Sequence, residues 1–223
     1  MEIGKAFSYV FEDEKWINKV LIGALFTLLS VIIIGMFFVL GYAVQTIRNV
    51  AEGNPRPLPE WDNLGDKLGK GFSLFVVMFI YALPLIVIIL CTTVPANIIS
   101  GTAGDNGAAS GLAGFLSLIG GCLTFIYEIL LALIFPAILV RFATTGSISA
   151  CFQFGQIISF ITANIGNYII VVLLSIVAYI IAGLGVIACI VGVFVTSFYA
   201  YLVMAHLFGQ LARLSGPGEI RTV

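Results

Sequence analysis

The chain has 223 residues, of which 61% are hydrophobic and 9% charged, with a net charge of -1 and a mean hydropathy of +1.15. Soluble domains carry roughly 25% charged residues, so a water-soluble fold is excluded, and a charge near zero offers neither a basic field for nucleic acid nor an acidic tail. Several apolar runs exceed the ~20 residues that a membrane-crossing helix needs, which leaves an all-α integral membrane protein in a single membrane domain.

In chain order, residues 1–19 open with Ile3, Ala6, Phe7, Val10 and Phe11 at helical spacing and Glu2, Lys5, Ser8 and Glu12 on the other side. That pattern describes an amphipathic helix in the membrane interface, with Trp16 at the headgroup level. Glu2, Glu12, Asp13 and Glu14 contradict the basic start of a cleaved leader, so the first hydrophobic segment is expected to persist. That segment, 20–47, would be ~42 Å long as straight helix, against a hydrocarbon core of ~30 Å. Gly35 is its one plausible break.

Residues 48–71 hold 8 of the 21 charged residues. Pro55, Pro57 and Pro59 favour an extended polyproline strap. Trp61, Leu64, Leu68 and Phe72 then recur at helical spacing, which predicts a second in-plane helix, acidic at its start and basic at its end as the helix dipole prefers. A helical hairpin over 72–140 follows. It carries Pro84 as a kink or hinge, Pro95 as an expected stop, a small flexible tip at 100–110, and Arg141 beyond its end. Residues 147–163 form a third weakly amphipathic helix. The 41-residue apolar run 168–208 requires two spans, turning at Gly183-Leu184-Gly185, and 209–223 are left as a cytoplasmic tail. Setting Ala6 on Ala150 also sets Trp16 on Phe160, which suggests an internal repeat of interfacial helix and hydrophobic hairpin.

Topology follows from the basic residues. With both later hairpins starting and ending in the cytoplasm, Arg48, Arg56, Lys67, Lys70, Arg141, Arg213 and Arg221 are inside. A first segment that spans puts Lys5, Lys15 and Lys19 outside, whereas re-entry near Gly35 puts all ten basic residues inside. Length and missing turn chemistry favour one tilted span, while charge and the repeat favour re-entry. The expectation taken here is the span, giving about five transmembrane helices, with the first as the candidate for re-entry.

Several motifs occur together: Ala6-Phe7-x-Tyr9 with Trp16, Gly41-Tyr42 before Arg48, Leu58-Pro59-Glu60-Trp61-Asp62, the Pro84 helix, and Ser197-Phe198-Tyr199-Ala200 followed by His206-Leu207-x-Gly209-Gln210. The chain thereby resembles an uncharacterised prokaryotic multi-pass membrane-protein family, a domain of unknown function with a Leu-Pro-x-Trp-Asp loop. The resemblance implies a cell-membrane protein and no particular chemistry.

Glu128 is the one acidic residue deep in a hydrophobic run, where a charge costs at least ~2.5 kcal/mol. Gly114, Ser117, Gly121, Thr124, Glu128 and Ala132 share a stripe suited to helix packing, so Glu128 is expected to face protein. Counting residues from Arg141 and Arg213 puts Glu128 at the depth of Tyr199, with His206 nearer the cytoplasm. A Glu128–Tyr199 hydrogen bond is therefore one reading, and a protonated acid acting as packing glue is the other. Pro59, Trp61 and Asp62 could dock a partner or anchor the interface. Cys91, Cys122, Cys151 and Cys189 stand singly without metal-ligand spacing, and His206 has no second ligand. No nucleophile, phosphate-loop or metalloprotease motif is present, so no enzyme activity, cofactor or metal is expected. These features suggest a non-enzymatic scaffold or accessory subunit of a larger membrane assembly, in contact with lipid and with other subunits or copies of itself. The alternative is a small-solute, ion or lipid transporter or channel using Glu128. Either would sit in a prokaryotic cell membrane with a cytoplasmic C-terminus.

Overall fold

The computed structural model describes residues 1–104 and 106–215, with the side chains of 188–191 also left aside. Asp105 in the expected hairpin tip, and residues 216–223 with Arg221, lie outside the described residues. The described chain is helical throughout: α1 (Ile3–Ser8), α2 (Trp16–Leu29), α3 (Ile34–Ala51), α4 (Leu64–Ile88), α5 (Val94–Thr102), α6 (Gly107–Thr145), α7 (Phe154–Ala163), α8 (Ile165–Leu184) and α9 (Cys189–Leu214). Among these residues, five helical stretches are long and apolar enough to cross a membrane: Ile34–Ala51, Leu64–Thr102, Gly107–Thr145, Ile165–Ile187 and Gly192–Leu214.

The first hydrophobic segment is not one tilted helix. It breaks at a 3-10 turn over Ser30–Ile32, and Ile33 takes φ 71° and ψ -39°. For a β-branched residue this left-handed backbone is unusual and strained. α2 and α3 then run back along each other: Gly35 fits against the backbone of Phe26 and Leu29, and the rings of Phe26 and Phe38 stack at 4.6 Å. The arms, of 14 and 18 residues, are each ~20–27 Å long. Both ends of the hairpin therefore return to one side, where α1 and the 3-10 turn Tyr9–Glu12 meet α2 at a bend of 100°.

The two expected proline and loop features also differ from the simple reading. Residues 64–71, expected as a separate in-plane helix, are the first two turns of α4, because nothing between Leu64 and Ile88 stops the helix. Pro95 does not end its segment either. The preceding turn, Ile89–Thr93, widens to π geometry with the Val94 N–H donating to the Ile89 carbonyl. This opens room for the proline ring, which would otherwise meet the carbonyl four residues back. α6 continues through Arg141 to Thr145, and α9 takes the first residues of the expected tail up to Leu214.

The chain divides into two compact units, Met1–Phe75 with Pro136–Val223, and Val76–Phe135. In the first, α9 packs along α2, α3 and α8, and the order of short helix, apolar helix, 3-10 turn, apolar helix occurs twice, at α1–α3 and at α7–α9. Its core gathers Tyr9, Val10, Val20, Val39, Tyr42, Leu58, Phe198 and Leu202. In the second unit the Tyr127 hydroxyl donates to the Tyr81 carbonyl at 2.6 Å, in the turn preceding Pro84, and Gly120 admits Thr92. The hydroxyl thus supplies a donor where a proline weakens the helix ladder.

Backbone proximity between α3 and the start of α4 rests on glycine. A Cβ at Gly41 would overlap the Lys67 carbonyl, and one at Gly71 the Phe37 carbonyl. Gly41→Ala is expected to force these helices apart and cost about 1–3 kcal/mol, read as a lower thermal unfolding midpoint in detergent. Gly69→Ala on the open face of the same helix should leave the midpoint unchanged or slightly raised.

Candidate functional site

An extended proline-stiffened strap makes no internal hydrogen bonds, so its carbonyls are open acceptors. Here three consecutive carbonyls are each taken by a side chain from another element. Asn49 Nδ2 donates to Pro57 O at 2.9 Å, Lys19 Nζ to Leu58 O at 3.1 Å, and the Tyr42 hydroxyl to Pro59 O at 2.8 Å. Trp61 closes the arrangement. Its ring stacks on Tyr42 at 4.4 Å and on Phe26 at 4.9 Å, and its Nε1–H donates to the Lys19 carbonyl at 2.9 Å.

Two lysines are buried at this strap, and each keeps a carboxylate. Lys19 Nζ lies 2.8 Å from Asp13 and 3.1 Å from Glu60, and Lys67 Nζ lies 3.6 Å from the exposed Asp62. Burial alone would raise the Asp13 pKa, but the bond from Lys19, the backbone N–H of Lys15 at 2.8 Å and nearby Arg56 together hold it below its ordinary value of 3.8. A depressed carboxylate stabilises the fold above its ordinary pKa, and that contribution is lost as pH falls through the depressed value. Asp62 is likewise held low, by the backbone N–H of Asn63, by its own backbone N–H and by Lys67. Outside the buried pairs, Arg56–Glu14 at 2.8 Å and Lys15–Glu60 at 3.8 Å line an open cleft of ≈ 330 Å³. Such exposed pairs add little stability, but they place the acidic N-terminal turn against the strap.

A second polar seam joins α1 to α9. The Tyr9 hydroxyl donates to Leu202 O at 2.8 Å, and the Tyr199 hydroxyl to Phe7 O at 2.7 Å. Gln210 pairs twice with the Glu2 backbone, accepting from its N–H at 2.7 Å and donating to its carbonyl at 3.0 Å. That pairing sets the amide so that Gln210 Nε2 faces His206 Nδ1 at 3.0 Å, which makes Nδ1 the unprotonated ring nitrogen. The buried His206 ring also lies 4.3 Å from the Tyr9 ring.

The sequence candidates therefore separate into four places. Pro59, Trp61 and Asp62 meet at the strap, while Tyr199 and His206 meet α1 at the second seam. Glu128 belongs to the second unit, where it is exposed on α6, and the hydroxyl of Tyr199, its expected partner, donates a hydrogen bond to the Phe7 carbonyl. Pro84 lies inside α4. Sequence reasoning missed Lys19 and Asp13 as a buried pair, and Lys67 as a buried cation. The available signal was a lone lysine at the head of an apolar run, six residues after an aspartate. Among the described residues no group of His, Cys, Asp and Glu side chains is arranged to hold a metal ion.

The strap also decides what Trp61 does energetically. Trp61→Phe, which keeps the stack and loses the N–H bond, is expected to cost about 1 kcal/mol, and Trp61→Ala about 3–5 kcal/mol. A tryptophan used only for docking would leave the detergent unfolding midpoint unchanged in both.

Comparison with known proteins gives one positive result. Residues 24–208, more than four fifths of the chain, match the family described as protein of unknown function (DUF4013). Neither the curated proteins nor the solved structures contain a match. The matched span runs from the first arm of the hairpin, through the strap, to the face of α9 that receives α1, and on that footing the chain belongs to the DUF4013 family.

Proposed function

We propose that this protein is a non-enzymatic scaffold or accessory subunit of a larger assembly in a prokaryotic cell membrane. Its strap and both ends of the N-terminal hairpin face the cytoplasm, together with the C-terminal end of α9. The observation that carries this reading is the position of Glu128. It lies 13 residues before Arg141, about 20 Å along α6, and is exposed on the same stripe as Gly114, Ser117, Gly121 and Ala132, which are exposed as well. No Cβ-sized obstacle lies over Gly114 or Gly121. A carboxyl facing lipid at that depth costs at least ~2.5 kcal/mol, and a neighbouring protein helix relieves the cost by hydrogen bonding while small residues let its backbone approach. The strap side chains support the same reading, because their donors and rings are engaged in building the fold.

A solute, ion or lipid pathway is the second reading. It is favoured by the π turn at Ile89–Thr93, a geometry common at functional sites, and by Pro84 as a hinge.

The two readings part on one pair of measurements. A photo-crosslinking residue at Gly121 in native membranes should give a discrete protein adduct, and the same residue at Ile126, exposed on the opposite face of α6, should not. Equal or absent adducts at both positions contradict the scaffold reading. The pathway reading instead requires that Glu128→Gln abolish solute flux in proteoliposomes.

A further inference from the structure

Arg141 is a buried cation without a carboxylate. Only 2% of the residue is exposed. Its Nε donates to Ala150 O at 3.1 Å, and its Nη2 to the side-chain oxygens of Gln153, at 2.7 Å, and of Gln156. All three acceptors are neutral, whereas the buried Lys19 and Lys67 each reach an acid. Among the described residues no carboxylate forms an ion pair with Arg141. The partial negative charge at the C-terminal end of α6 offsets part of the desolvation, but it is only about half a charge shared over the last turn.

The guanidinium has five N–H groups, and the three bonds above use Nε and Nη2. Nη1 takes no acceptor among the described residues. Gln153 gives its oxygen to Arg141, so its amide N–H₂ points away from that bond and likewise has no acceptor among the described residues. Donors without acceptors, around an uncompensated positive charge, are what a phosphate oxygen requires.

Position separates a lipid phosphate from a free one. Arg141 lies four residues before the end of α6, about 6 Å from it, so with α6 crossing the membrane the guanidinium stands at headgroup depth. The segment that supplies the glutamines exposes Ile148, Phe154 and Ile158 beside them, an apolar surface that acyl chains would cover.

We infer that Arg141 and Gln153 form a binding site for the phosphate group of an anionic membrane lipid. This site depends on membrane insertion and is independent of whether the protein is a scaffold or a pathway. Gln153→Glu tests it, because a carboxylate at that position neutralises Arg141 from within and removes the amide donor. Gln156→Glu serves as a second variant, and Asn54→Asp on the exposed strap adds the same charge elsewhere.

In native mass spectrometry of the full chain, the wild type should retain phosphatidylglycerol over phosphatidylcholine. Gln153→Glu should weaken phosphatidylglycerol retention about tenfold or more, the scale of one charge-assisted bond, with an unfolding midpoint unchanged or raised, and Asn54→Asp should match the wild type. Equal retention of the two lipids by the wild type overturns the site. So does equal phosphatidylglycerol retention by the wild type and both glutamate variants. Displacement of the lipid by inorganic phosphate at the same concentration would show that free phosphate, and not lipid, is the ligand.

Discussion

Everything in the first unit depends on where Trp61 sits. Its ring stacks against α2 through Phe26 and against α3 through Tyr42, and its one hydrogen-bond donor reaches back to Lys19. A flat aromatic with a polar edge suits this place, because the stack buries area on two helices while the N–H donates to a backbone carbonyl in the first turn of α2. With the ring in place, the proline strap lies across the open end of the hairpin and offers its carbonyls to Asn49, Lys19 and Tyr42. The strap thus acts as a clamp across two antiparallel helices.

The same clamp explains how so apolar a chain tolerates buried charge. Desolvating an ammonium costs several kcal/mol, and removing one partner of a buried pair typically costs about 3–5 kcal/mol. Lys19 avoids that cost with two carboxylates and a carbonyl, and it holds three segments together as it does so: the acidic N-terminal turn, α2 and the strap. α9 then closes the unit from the far end of the sequence. Phe198 fills the space over Gly23, Tyr199 and Leu202 bond α1, and Gly209 lets Val50 approach. The short turn of α1 has too few residues to hold a helix by itself, so the α9 seam is what fixes it.

Much of this was legible in the residues. The all-helical membrane class, the later hairpins, the turn after Leu184 and the twofold order of short helix and hairpin follow from hydropathy, charge and spacing. A break near Gly35 in residues 20–47 was legible as an alternative, but the turning residue was not. Local chemistry points to Gly35, while the chain turns at Ile33, a residue that resists positive φ. The turn is held by contacts distant in sequence, above all Lys19 with Glu60 and Trp61 with Phe26, and no local pattern encodes those. The surplus of lysine before residue 20 was the signal that did bear on it, since the antiparallel arms gather that charge with the strap. Pro95 was misleading for a related reason: a widened turn accommodates a proline that residue preferences alone would make a terminus. At the candidate sites, depth counting from the arginines set Glu128 level with Tyr199, but depth says nothing about helix face, and the Tyr199 hydroxyl belongs to α1.

The strap, the N-terminal turn and the C-terminal end of α9 form one clamped surface, which on the proposed reading puts both ends of the first hydrophobic segment at the same membrane face. Accessibility measures this directly. Single cysteines at Gly4 and at Asn54, in a chain with its native cysteines replaced, would be treated with a membrane-impermeant maleimide in right-side-out and in inverted vesicles. Labelling of both positions from the same side, in the inverted vesicles, is the result the account predicts; labelling of Gly4 and Asn54 from opposite sides would contradict it.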